Sequence, residues 1–401
     1  MPKKLSPRLK TIAGYAVTGL FGLLVLGACI AVFRALGAQQ LRQKVLHTPA
    51  VQAQRLGARF IVGYENPGEV IELAKRGLIA GVFVTQRNAK TKSAEVLRQE
   101  IASLQAARRS AGLPELIVAT DQEGGAVSRL SPPLERQAAL SSLVVPGAAP
   151  HSLDAQAFDY GAQQGQALAA IGVNLNFSPV VDLKNERPAS PFDLFSRINS
   201  RAISSDPEVV GRVAAAYSRG LASSGVLATV KHFPGLGEVA ADTHLFSAQL
   251  DIPVETLQQR DWLPFRQVIG QTDALMMLGH VTLPSLDSVY PVSLSRQVVQ
   301  GIIRQAWRHD GLLITDDLTM RAAQKHGQCG ATLAALNAGV DLLLLAYEYD
   351  QFYGAMQCAV DALKAGQLDS ALLADSARRL ARFNQRRVAA TASPAPRRPV
   401  H

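Results

Sequence analysis

At 401 residues the chain is too long for a disulfide-stapled miniprotein and long enough for one large domain or two ordinary ones. Hydrophobic residues make up 48% and charged residues 18%, which excludes disorder as the global state. The balance of 41 Lys+Arg against 32 Asp+Glu, net +9, would suit an anionic polymer, but its distribution argues otherwise. Residues 1–45 hold seven basic residues and no acid, residues 378–401 hold another seven and no acid, and 46–377 carry 27 bases against 32 acids. A mildly acidic body makes nucleic acid a poor expectation as partner.

From Thr11 to Phe33 there are 23 residues without a charge, preceded by Lys3, Lys4, Arg8 and Lys10. At about 1.5 Å per helical residue this stretch spans a hydrocarbon core of about 30 Å. It is longer than the apolar region of an ordinary cleaved signal peptide. The spacing predicts a transmembrane helix over about 11–33, with the basic flank on the cytoplasmic side and the body beyond the membrane. Leu26-Gly27-Ala28-Cys29 offers a second reading, a lipoprotein acylated at Cys29, although Ile30-Ala31-Val32-Phe33 continues the apolar run past the cysteine. A buried core helix is the third. The expected layout is a basic flank, anchor and linker over 1–45, a catalytic body over 46–388, and a disordered Ala/Pro/Arg tail over 389–401.

Within the body, short apolar runs recur: Arg59–Tyr64, Gly81–Thr85, Leu116–Asp121, Asn174–Val181, Ala228–His232, Ala274–His280, Leu312–Asp316 and Asp341–Leu345. Each has the near-continuous hydrophobicity of a buried parallel strand. Amphipathic stretches separate them, at Ser93–Arg109, Ala155–Ala170, Pro207–Ser223, Val254–Ile269, Ser295–Arg308 and Gln351–Ala365. Asp206 before Pro207 is an N-cap followed by proline at the first helical position. Eight βα units predict an α/β fold, a single TIM-like (β/α)8 barrel. An open doubly wound sheet is the competing architecture, weakened by the lack of G-x-G-x-x-G after the first strand. No C-x-x-C occurs among the three cysteines, which argues against a cysteine zinc site; Cys329 and Cys358 can pair only if their helices bring them together.

In a barrel the site lies at the C-terminal ends of the strands. Those ends carry Asp121-Gln122-Glu123-Gly124-Gly125, Asn176 and Asp182, Lys231-His232, His280, and Asp316-Asp317. Singly each reads as a cap, a turn or a satisfied core histidine; together they outline a polar cleft suited to a neutral hydroxylated ligand such as a sugar. The most distinctive segment is Lys231-His232-Phe233-Pro234-Gly235-Leu236-Gly237, followed after four residues by Asp242-Thr243-His244. Its glycines and proline predict a tight, movable loop carrying Asp242 and His244. An Asp two residues from a His can fix the imidazole tautomer for proton transfer. A metal held by His232, Asp242 and His244 is the rival reading, which lacks further ligands at suitable spacing.

These blocks resemble glycoside hydrolase family 3, in particular its bacterial β-N-acetylglucosaminidases. Lys231–His244 matches the pattern K-H-[FI]-P-G-[HL]-G-x4-D-[ST]-H. The D-Q-E-G-G block, Asn174–Asp182, Arg201 with Asp206-Pro207, Gly279-His280-Val281 and Ile314–Met320 follow in family order, covering roughly 55–385. The resemblance implies a retaining β-N-acetylhexosaminidase. Asp316 would be the nucleophile, and His244, oriented by Asp242, the acid/base in place of the usual second carboxylate. It further implies that Asp121, Arg201, Lys231 and His232 hold the hydroxyls of the terminal sugar, and that Asp317 is structural. The resemblance implies a carbohydrate substrate, with peptidoglycan fragments outside the bacterial cytoplasmic membrane as its expected source; no cofactor or metal is expected, and a monomer is favoured. Phosphorolysis, β-glucosidase action and a non-catalytic sugar-binding role stay open. The chain departs from many relatives at Ala126, in the 185–200 loop and at Leu245-Phe246-Ser247.

Overall fold

The computed structural model describes residues 7–145, 147, 150–185, 196–239, 242–244 and 246–392. It divides into two units, Met1–Thr48 and Pro49–His401. The first is a single 40-residue helix, Pro7–Leu46. Among the described residues no helix is long and apolar enough to cross a membrane. The transmembrane helix expected over 11–33 is therefore not found there, and the side chains of 11–24 lie outside the described residues.

The second unit is built on eight parallel strands: β1 Phe60–Gly63, β2 Gly81–Phe83, β3 Ile117–Thr120, β4 Leu175–Asn176, β5 Leu227–Phe233, β6 Leu275–Leu278, β7 Leu313–Asp317 and β8 Leu342–Leu345. Each pairs with its sequence neighbours, and β1 closes on β8 through Ile61 opposite Leu344, giving a closed barrel. The (β/α)8 expectation holds, with all eight strands within a residue or two of the apolar runs except at β4. There the ladder shrinks to two residues plus an isolated Val180–Lys231 bridge. Pro179 has no N–H to donate, so the run to Val181 cannot continue as a regular strand. Inward-facing Ile61, Phe83, Ile117, Leu175, Met277, Ile314 and Leu344 fill the barrel, and Phe83 stacks on Phe177 at 5.4 Å.

Two strands are irregular, and both carry site residues. In β7, Ile314 faces Leu342 but Asp317 faces Leu344, so one extra residue is inserted. In β5, Val230 faces Met276 and Phe233 faces Leu278, with the same surplus. A bulge breaks strict in/out alternation and lets consecutive side chains serve one end of the barrel. At β7 the Thr315 hydroxyl replaces a ladder carbonyl by accepting the Leu344 N–H at 3.1 Å.

The helix after β5 is interrupted: Val254–Gln259 and Leu263–Gln271 replace the single span expected. Pro264 in the first turn of the second segment explains the restart. Helix Pro207–Ala222 begins as expected, with the Asp206 carboxylate accepting the Glu208 and Val209 N–H groups at 2.9 and 3.4 Å. Helices Gly327–Ala338 and Gln351–Lys364 are joined by a Cys329–Cys358 disulfide, with Cα atoms 5.6 Å apart. The last helix, Ser370–Ala392, closes the N-terminal end of the barrel, with Leu380 in the core. It extends into the stretch expected as a tail, of which 393–401 lie outside the described residues.

Candidate active site

At the C-terminal end of the barrel the strands bring together four charged side chains. The Lys231 ammonium, on β5, lies 2.6 Å from Asp121 Oδ1 and 2.7 Å from Glu123 Oε1. Arg201 donates from Nε and Nη2 to the two oxygens of Glu123, at 2.9 and 2.7 Å, a bidentate fork, and from Nη1 to the Ser196 carbonyl at 2.7 Å. Lys231 and Glu123 are 3% and 7% exposed, whereas Asp121 at 18% is the most open carboxylate of the cluster. Burial alone would raise the Glu123 pKa, but Arg201 and Lys231 hold it well below the ordinary carboxylate range.

Glu123 is thus the keystone of the cluster, although sequence reasoning singled out Asp121 from the same block. Glu123→Gln keeps the shape and leaves two buried cations short of a carboxylate. We expect a loss of about 3 kcal/mol in urea unfolding; a change under about 0.5 kcal/mol would contradict this account of the cluster.

His232 lies beside this group. Arg201 Nη2 is 3.4 Å from His232 Nε2; a guanidinium only donates, so Nε2 accepts and Nδ1 carries the proton. That Nδ1–H donates to Asp182 Oδ2 at 2.7 Å. The other oxygen of Asp182 accepts the backbone N–H groups of His232 and Leu236, at 3.1 and 2.8 Å. One buried carboxylate therefore orients His232 and pins the base of the loop that follows.

That loop is fixed tightly at its start. Gly235 has φ +104, the left-handed region open to glycine. At Gly237 a Cβ would meet the Leu183 carbonyl oxygen at 2.2 Å. At its far end, Ala248–Gln249 pairs in parallel with Val281–Leu283. Between these anchors sit Asp242 and His244, of which the first is 0% and the second 41% exposed. Asp242 Oδ1 accepts the His244 backbone N–H at 3.0 Å and its Nδ1–H at 2.8 Å. The result is a partly exposed imidazole whose Nδ1 is committed to a buried carboxylate.

Asp316 lies at the β7 bulge, and its Oδ1 accepts the Asp317 N–H at 2.8 Å. Burial would push its pKa up; His232, His280 and His244, in decreasing order, and the Asp317 N–H outweigh this and hold it below the ordinary value. Asp316 is thus electrostatically coupled to all three imidazoles. His280 is buried and fully bonded: its Nε2–H donates to the Asp317 carbonyl at 3.0 Å, and its Nδ1 accepts the Ser293 hydroxyl at 2.7 Å. Burial, offset in part by Asp316 and Asp317, lowers its pKa. Asp317 turns away into a structural role, accepting the Thr319, Ala346 and Tyr347 N–H groups and the Thr319 hydroxyl at 2.8–3.3 Å. Among the described residues no three His, Cys, Asp or Glu side chains converge to hold a metal.

Under Gly235 lies Asp261, buried, with Oδ2 lacking a hydrogen-bond partner. Burial, offset in part by Arg260 and reinforced by Glu238 and Asp182, raises its pKa to about 6. The folded state then binds more protons than the unfolded one between about pH 4 and 6, so this group's contribution to stability falls as pH rises through that window. The loss is about 3 kcal/mol. His309, with a pKa lowered to about 4 by burial, works oppositely over the same range. Comparison with Asp261→Asn isolates the effect: the variant gains stability relative to wild type between pH 4 and 7 by thermal unfolding. A pH-independent difference would contradict it.

An eight-stranded barrel thus carries at its C-terminal end the carboxylate of Asp316, the His244–Asp242 pair and the Asp121–Glu123–Arg201–Lys231 cluster. The chain belongs to glycosyl hydrolase family 3: the model of the family's N-terminal domain matches residues 40–383. It is 34% identical to a β-hexosaminidase of Pseudomonas aeruginosa over 268 residues, 67% of this chain and 75% of the relative. It is 29% identical to β-hexosaminidase A of Pseudoalteromonas piscicida over 349 residues, 82% of this chain but only 56% of that protein's length. A family 3 β-N-acetylglucosaminidase from Paenibacillus superposes with TM-score 0.77 at 27% identity, covering 87% of this chain and 64% of the other.

Proposed function

We propose that the chain is a retaining β-N-acetylhexosaminidase releasing terminal β-linked N-acetylglucosamine. The observation that carries this reading is Asp316, ionised among three imidazoles, one of them the accessible His244 oriented by buried Asp242. Asp316 attacks the anomeric carbon while the glycosidic C–O bond breaks and His244 gives its Nε2 proton to the leaving oxygen. Asp242 balances the charge His244 carries when protonated. In the second step His244 takes a proton from water, whose oxygen displaces Asp316 from the anomeric carbon. Asp121, Arg201, Lys231 and His232 hold the sugar hydroxyls, with Asp121 accepting and the cations donating.

The names of the relatives and the family's acid/base pattern support the N-acetylglucosaminide preference. Release of nitrophenol from a β-N-acetylglucosaminide by the folded protein is the test. No turnover of β-N-acetylhexosaminides, β-glucosides or β-xylosides would sink the proposal.

The natural substrate we propose is peptidoglycan-derived, met outside the cytoplasm by a chain tethered through its N-terminal apolar stretch. The uncharged run to Phe33 and the Cys329–Cys358 disulfide, a bond favoured in oxidising compartments, support this placement. Cys329→Ser is expected to cost about 3.6 kcal/mol by chain-entropy reasoning for a 29-residue separation. A melting temperature unchanged by the substitution and by reductant would remove that support.

A further inference from the structure

A cavity of about 920 Å³ lies at the opposite end of the barrel from the site just described. Its floor is apolar, made by Leu227, Leu275 and Leu312 at the N-terminal ends of β5, β6 and β7, with Trp307 and Phe383. Its rim is basic: Arg266, Arg308, Arg379, Arg382, Arg386 and Arg387, against the carboxylates of Glu115, Asp273 and Asp310. Arg382 and Arg386 bond Asp310 and Asp273. Arg266, exposed, lies 6.0 Å from the Trp307 ring centroid, and Arg308 is exposed with a left-handed φ of 52°. The Nε2 of His309, also on the wall, is buried with no hydrogen-bond partner.

We propose that this cavity binds an acidic phospholipid, its phosphate among the rim guanidiniums and its acyl carbons on the apolar floor. Arg379, Arg382 and Arg386 are paired with Asp341, Asp310 and Asp273, so the exposed Arg266 and Arg308 are the rim cations that would receive an anion, and planar guanidiniums match phosphate oxygens. A free phosphate would use only the rim and leave the aliphatic floor uncovered, whereas an amphipathic anion engages both. None of the lining residues belongs to the proposed catalytic set, so the two sites are separable.

The full chain in neutral detergent is titrated with dihexanoyl phosphatidylglycerol, dihexanoyl phosphatidylcholine and inorganic phosphate, following tryptophan emission. The protein has two tryptophans, and Trp262 is fully buried, which leaves Trp307 as the reporter. Saturable binding of phosphatidylglycerol is expected, at least about ten-fold tighter than phosphatidylcholine, and the pair Arg266→Glu/Arg308→Glu should weaken it by at least about ten-fold with nitrophenol release unchanged. Should that pair fail to fold, the single exposed Arg308→Gln should still weaken lipid binding by about three-fold. Phosphate binding as tightly as the lipid would assign the cavity to a free anion and overturn the lipid. Equal binding of the two lipids, no binding, or indifference to the arginine changes would overturn it as well.

Discussion

Asp316→Asn should fold like wild type and hydrolyse a nitrophenyl β-N-acetylglucosaminide at least about 10⁴-fold more slowly, because an amide cannot form the glycosyl ester. Folding should survive because the Asp317 N–H can still be accepted by the amide oxygen that replaces Oδ1. The pH profile adds a sign. Although burial favours the acid form, the surrounding imidazoles and the Asp317 N–H hold the pKa down, so the carboxylate is ionised across neutral pH. The acid limb set by this group should therefore fall below the ordinary aspartate value of about 3.9. Removing an imidazole with His232→Ala should move that limb upward. Residual activity of Asp316→Asn within about ten-fold of wild type would mean another group attacks.

His244→Ala should behave differently, in a way that depends on the leaving group. A nitrophenolate departs with little proton assistance, so its glycosylation step should slow modestly, while an alkyl or sugar leaving group should lose about 10²–10⁴-fold. Asp242→Ala should follow the same trend, because His244 then loses both the Nδ1 partner at 2.8 Å and the backbone anchor at 3.0 Å. Equal losses for good and poor leaving groups would show that the dyad binds substrate without moving a proton. Steady-state kinetics over a leaving-group series measures this directly.

The barrel was legible because buried parallel strands are written as short apolar runs, and eight of them recur between amphipathic stretches. The residues that assemble at the strand ends were legible too, since Lys231-His232 and Asp316 sit at the ends of such runs. What the sequence hid was pairing. Nothing in D-Q-E-G-G distinguishes Asp121 from Glu123, yet it is Glu123 that bridges Arg201 and Lys231. The role of Asp182 was equally invisible, because its partners His232 and Leu236 lie 50 and 54 positions later and meet it only across neighbouring strands of the closed barrel. The two bulges at β5 and β7 leave no compositional mark, although they let adjacent residues share one end of the barrel. The break in the helix after β5 was readable in Pro264, which the amphipathic period alone had masked.

The central claim is a covalent bond to Asp316, and mass spectrometry tests it most directly. A fluorinated N-acetylglucosaminyl fluoride, which forms the glycosyl-enzyme faster than water releases it, is incubated with the protein before proteolysis. The account predicts one sugar mass on the peptide carrying Asp316, lost when Asp316→Asn is used. A sugar on Glu123 or Asp317, or an unlabelled protein releasing product with inverted anomeric configuration, would contradict it.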